Sequence, residues 1–130
     1  MKIKQAIHTH NAPQAIGIYS QAMLVGNTVY LSGQIPLDPR TMELITTSID
    51  AQIDQVFRNM AAVAEAAGGS LDNIVKLTVF LTDLTNFPLV NASMAKYFHE
   101  PYPARSTIEV SALPKGAAVE VEAIMVLPNP

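Results

Sequence analysis

An α+β fold, a mixed β-sheet with two helices packed on one face, is what the residue pattern predicts, and three stretches carry that prediction. Ile49, Ile53, Val56, Met60, Val63 and Ala67 recur at helical spacing and form one apolar stripe. Residues 74–82 make a strand-length run rich in β-branched and aromatic side chains, with Lys76 its only charge. Gly26-Asn27, between Met23-Leu24-Val25 and Thr28-Val29-Tyr30-Leu31-Ser32, has the composition of a two-residue hairpin turn. A strand set between two helix patterns implies a strand-helix-strand unit, and the hairpins make the sheet mixed.

Residues 3–7 read as a short strand and residues 8–13 as a loop. Residues 15–22, with Gly17 and several small side chains, read as an extended segment whose backbone lies close to something else. After the first hairpin, Gly33-Gln34-Ile35-Pro36 leaves the sheet and Asp38-Pro39-Arg40-Thr41 turns. The first helix begins near Thr47-Ser48, carries Asp50 in its first turn and ends at Gly68-Gly69. The second is capped by Thr85 or Asn86, has Pro88 in its first turn, and turns Val90, Met94 and Tyr97 or Phe98 inward. Pro101 and Pro103 stiffen the approach to residues 104–110, where alternation puts Arg105, Thr107 and Glu109 on one face. In residues 119–126, Glu120 and Glu122 point opposite to Val119 and Val121. Leu113-Pro114-Lys115-Gly116 reads as the turn of an antiparallel hairpin joining these two strands, which would fold Arg105 and a glutamate toward one pocket.

A length of 130 residues fits one domain, 1–130. Only 15% of residues are charged while 49% are hydrophobic, against about 25% charged in typical soluble domains. Copies of the chain are therefore expected to cover part of the surface, the free sheet face included. A net charge of -3 argues against a nucleic-acid partner. The lack of cysteine excludes disulfides, thiolate nucleophiles and zinc-thiolate sites. No run of 18 or more apolar residues occurs, so no membrane span is expected and the cytoplasm is the expected location.

Among candidate residues, Arg105 offers a planar fork that matches a carboxylate. On the residues alone, an ion pair with Glu109, Glu120 or Glu122 is the favoured reading over a ligand role. Glu120 sits within an otherwise apolar strand, as a proton-transfer carboxylate would, or else occupies a solvated edge. His8 and His10 have the i, i+2 spacing of strand-borne metal ligands but lack companions, and they read as loop histidines. Ser20, Ser32 and Ser106 have no evident histidine and acid beside them, and no phosphate-loop glycine pattern is present.

Pro103-Ala104-Arg105-Ser106, Leu113-Pro114-Lys115 and Val119-Glu120-Val121-Glu122-Ala123 resemble the reactive intermediate deaminase family, also called the Rid or YjgF family. So do Asn11-Ala12-Pro13, Ala15-Ile16-Gly17, Tyr19-Ser20-Gln21, Ser32-Gly33-Gln34-Ile35-Pro36, Glu65-Ala66-Ala67-Gly68, residues 76–81 with Asp83-Leu84, and Phe87 with Val90-Asn91, in the same order along the chain. The resemblance implies a homotrimer of chorismate-mutase-like two-layer subunits, with the sheets forming an inner barrel, the helices outside, and clefts between subunits. It implies hydrolysis of 2-imino acids and their enamine tautomers, such as 2-aminoacrylate, 2-iminopropanoate and 2-iminobutanoate, to 2-keto acids and ammonia. These substrates are released by pyridoxal-phosphate enzymes such as serine and threonine dehydratases, and neither metal nor organic cofactor is required.

By position, the resemblance gives Arg105 the substrate carboxylate and Glu120 the attacking water, and it sets Tyr19 against the substrate. Ser32, Gly33, Phe87, Asn91 and the main chain at Thr107 would shape and polarise the cleft. Ile18 stands where many members have proline before the cleft tyrosine, which predicts a less rigid loop, and Thr107 stands where many have cysteine. Three other functions stay open: RNA cleavage with translation inhibition, attributed to some eukaryotic relatives; a non-catalytic carboxylate-binding or chaperone-like trimer; and chorismate mutase chemistry, for which the chain's few arginines are a poor match.

Overall fold

A computed structural model describes residues 3–128. Six strands, β1 (Gln5–Ile7), β2 (Ala22–Val25), β3 (Thr28–Gln34), β4 (Ile74–Leu81), β5 (Ala104–Glu109) and β6 (Val119–Val126), form one sheet in the order β1-β2-β3-β6-β4-β5. Helices α1 (Ile49–Ala66) and α2 (Phe87–Tyr97) complete the α+β architecture. The predicted hairpin is present: β2 pairs antiparallel with β3, and Gly26 takes φ +60° in the turn, where a glycine is unstrained. Ser48 caps α1, its hydroxyl accepting from the Ala51 N–H at 3.0 Å, and Gly68 follows the helix with φ +99°.

The stripe of α1 buries Ile53, Val56, Phe57, Met60 and Val63 against Val29, Leu77, Val79, Val119, Val121 and Met125 of the sheet. Each large apolar side chain so buried contributes about 1.5–3 kcal/mol. Phe57 joins the helices, its ring centroid 5.7 Å from that of Tyr97 and 5.6 Å from that of Phe98. The side chain of Gln52 ties loops to α1 by donating to the Ile45 carbonyl and accepting from the Ala118 N–H.

Three sequence expectations are corrected. β5 and β6 do not pair with each other: β5 runs parallel to β4 on the outside of the sheet, and β6 lies antiparallel between β3 and β4. Burial decides this. Alternate residues of β6 are buried, a pattern that suits the middle of the sheet, whereas no residue of β5 is fully buried and α2 supplies the crossover that a parallel neighbour needs. Gly33 and Gln34 do not leave the sheet but end β3, with a bulge between Leu31 and Gln34 that gives β3 one residue more than β6. Neither Thr85 nor Asn86 caps α2 through its side chain. Asp83 instead caps the short 3₁₀ turn Leu84–Asn86 ahead of it, accepting from the Thr85 N–H and hydroxyl.

Candidate active site in two halves

Register fixes where each candidate points. Arg105, Thr107 and Glu109 lie beside Leu77, Val79 and Leu81 on β4, all three fully buried, so this trio faces the helix layer. Arg105 donates from Nη1 to Asn91 Oδ1 at 2.7 Å and to the Met94 sulfur at 3.3 Å. Its guanidinium carbon stands 4.9 Å from the centroid of the Phe87 ring, a cation–π contact. Among the described residues Arg105 makes no ion pair, so the glutamate-pair reading is set aside. Nε and Nη2 remain without partners there, and they form one edge of the guanidinium fork. A cavity of about 380 Å³ opens at this point, lined by Asn91, Met94, Ala95, Tyr102, Pro103 and Arg105. The Thr107 hydroxyl is buried without a hydrogen-bond partner, and one rim of β5 main chain is unpaired because the strand is outermost.

Glu120 belongs to the other face. It pairs with Phe80 on β4, while its neighbours Val119 and Val121 are buried toward the helices. Because β6 is central, the solvated-edge reading of Glu120 fails: its side chain is half-buried and lies on Gly33 in the β3 bulge. Burial first, and the neighbouring Glu122 carboxylate second, push its carboxyl above the ordinary 4.5. Ser32, beside Gly33, donates from Oγ to the Ser20 carbonyl at 2.6 Å. Gln21 clamps the adjoining loop, donating to the Thr9 and Pro13 carbonyls and accepting from the Thr9 N–H. Tyr19 is held despite the missing proline, since its hydroxyl accepts from the Ile16 N–H at 3.2 Å.

One chain therefore carries the candidate residues in two groups on opposite faces of its sheet, Phe87, Asn91, Arg105 and Thr107 in one and Tyr19, Ser32, Gly33 and Glu120 in the other. The expectation that Arg105 and a glutamate share a pocket within the chain is corrected accordingly.

A family model described as Endoribonuclease L-PSP matches residues 9–127. The chain belongs to this family, the Rid or YjgF family. The chain is 49% identical over 127 residues to the 2-iminobutanoate/2-iminopropanoate deaminase of Dermatophagoides farinae, covering 98% of this chain and 99% of the relative. The structure of RidA from the Antarctic bacterium Psychrobacter sp. PAMC 21119 superposes with a TM-score of 0.92 at 53% identity, over 95% of this chain and 99% of that one. That of Escherichia coli TdcF with bound serine gives 0.89 at 38% identity, over 95% and 99%.

In this Rid protein two site features escaped sequence reasoning. Met94, read as core, is an Arg105 partner, and its spacing of three from Asn91 on one helix face was the available signal. Tyr102 lines the Arg105 cavity, and only the proline-framed turn around it marks it in the sequence. His8 and His10 lie edge to face with ring centroids 4.9 Å apart. No helix among the described residues is long and apolar enough to cross a membrane.

Proposed function

We propose that the protein hydrolyses 2-imino acids and their enamine tautomers, including 2-aminoacrylate, 2-iminopropanoate and 2-iminobutanoate, to 2-keto acids and ammonia in the cytoplasm. The observation that carries this reading is Arg105, held by Asn91 and Phe87 with the Nε/Nη2 edge free beside a cavity. That edge grips a small carboxylate bidentately and so sets the adjoining imine carbon in one place. Glu120 takes one proton of a water as its oxygen adds to the carbon of the protonated imine, passes that proton to the amine nitrogen, and takes the remaining hydroxyl proton as the C=O bond forms, the C–N bond breaks and ammonia leaves. A carboxyl raised by burial is a stronger base, once ionised, than an ordinary one. Its likeness to the deaminase and RidA relatives supports this reading.

The two groups meet only if a second copy brings its Glu120 face to the first copy's Arg105, and a homotrimer with its clefts between subunits satisfies this for all three sites. Exposed Tyr30 and Val126 on the face without helices support such burial. Pyridoxal-phosphate dehydratases would supply the substrate. Tyr19, Ser32, Gly33, Thr107 and Asn91 line and polarise the cleft.

The test is keto-acid release from dehydratase-generated 2-aminoacrylate with semicarbazide competing for the imine. Wild type should outpace the trap and Arg105→Ala should not; equal release by both sinks the arginine clamp. The family model's description favours RNA cleavage as a second reading. A net charge of -3 opposes it, and salt-sensitive cleavage of RNA by purified protein would restore it.

A further inference from the structure

Ile18 is a fully exposed isoleucine at the tip of a folded knob. Gly17, at φ +150°, lies against the Tyr19 ring, and the Tyr19 hydroxyl closes the loop on the Ile16 N–H. Gln21 holds the base of this segment to the 9–13 loop. A flexible loop could fold an isoleucine inward; this one is braced to hold it out, at a cost in exposed apolar surface. The knob stands beside Glu120, since Ile16 and Tyr19 line one small pocket with Gly33, on which Glu120 lies. The complementary surface in the chain is the Arg105 cavity, whose walls include the apolar groups of Met94, Ala95, Pro103 and the 60%-exposed Tyr102. About 380 Å³ is far more than a three- or four-carbon imino acid fills.

We propose that Ile18 of one copy closes the Arg105 cavity of a neighbouring copy and limits the imino-acid side chain admitted there. This rests on the two-copy site proposed above. The carboxylate is fixed at Arg105 and the imine carbon faces Glu120, so the substrate side chain is left against the knob. Removing the isoleucine side chain enlarges the room for it by about three methyl or methylene groups.

Two measurements test this. The first is kcat/KM for 2-iminopropanoate and for the imine formed from leucine by an amino-acid oxidase, in wild type and Ile18→Ala. The leucine-to-alanine imine ratio should rise at least tenfold in the variant, in keeping with pocket changes of about 1–3 kcal/mol. An unchanged ratio in an active variant overturns the specificity role. The second is independent of activity and uses the natural absence of cysteine. Ile18→Cys/Tyr102→Cys treated with a short bismaleimide should give covalent species of two and three chain masses, while either single variant stays mainly monomeric on a denaturing gel. If the double variant links no better than the singles, the packing is wrong. Linking without turnover of any imine by wild type would uphold the knob-in-cavity contact and overturn both its specificity role and the deaminase reading.

Discussion

The carboxylate of Glu120 rests on the bare Cα of Gly33, at the one place where β3 takes an extra residue against β6. The bulge turns Gly33 toward β6, and the missing side chain leaves the space that the glutamate occupies. A Cβ at Gly33 would lie 2.9 Å from Glu120 Cδ and 3.1 Å from Cγ, closer than van der Waals contact. The glutamate would have to swing away. Gly33→Ala should therefore lower kcat by about tenfold or more, because small misplacements of a reacting group are costly. The backbone at Gly33 is not left-handed, so the melting temperature should stay within a few degrees. Unchanged kcat in Gly33→Ala would mean that the position of Glu120 does not matter.

The raised Glu120 carboxyl predicts a pH profile. Only the ionised form accepts the water's proton, so kcat/KM should fall on the acid side with a midpoint above 4.5. Glu120→Gln should be slow and lack that limb. The stability sign is opposite to that of a salt-bridged acid: a raised folded pKa stabilises below the unfolded value, and the contribution is lost as pH rises through the folded one. Glu120→Gln should thus melt higher than wild type at pH 7, with the difference closing toward pH 4. A profile flat down to pH 4.5 would exclude Glu120 as the base.

Arg105→Lys keeps the charge but loses the fork and the flat contact with Phe87. One charge-assisted hydrogen bond is worth about 1.5–3 kcal/mol, so kcat/KM should drop about tenfold to a hundredfold. Asn91→Ala removes the shorter of the two Nη1 hydrogen bonds and leaves Met94 and Phe87 to hold the guanidinium, and KM should rise more than kcat falls. Wild-type kinetics in Arg105→Lys would remove the carboxylate clamp.

The first hairpin, both helices and β4 were legible because each is set by local chemistry: Gly26-Asn27 makes its turn, Ser48 its cap, and the α1 stripe its period. The pairing of β5 was not. Nine residues separate it from β6, and a connection of that length imposes no register, so the choice passes to burial across the whole sheet. Arg105 and Glu120 illustrate the consequence. Both stood out in the sequence as candidates, one as a fork and one as a carboxylate among valines, but their opposite faces follow from partners on β4, Leu77 for Arg105 and Phe80 for Glu120.

Helix starts offer a last test, because two similar sequence signals have different structural fates. The Ser48 hydroxyl accepts from the Ala51 N–H, so Ser48→Ala should cost about 1 kcal/mol. Asn86 sits at the corresponding position of α2 with no side-chain hydrogen bond to the helix, and Asn86→Ala should change stability by no more than about 0.5 kcal/mol, as surface substitutions do. Asp83 holds the turn before α2 through both Thr85 groups, and the Glu109 carboxylate accepts from the Leu84 N–H to tie that turn to the end of β5. Asp83→Ala should therefore lower the melting temperature where Asn86→Ala does not, and it should loosen the segment that carries Phe87 beside Arg105. Equal melting of the two variants would return the cap of α2 to Asn86.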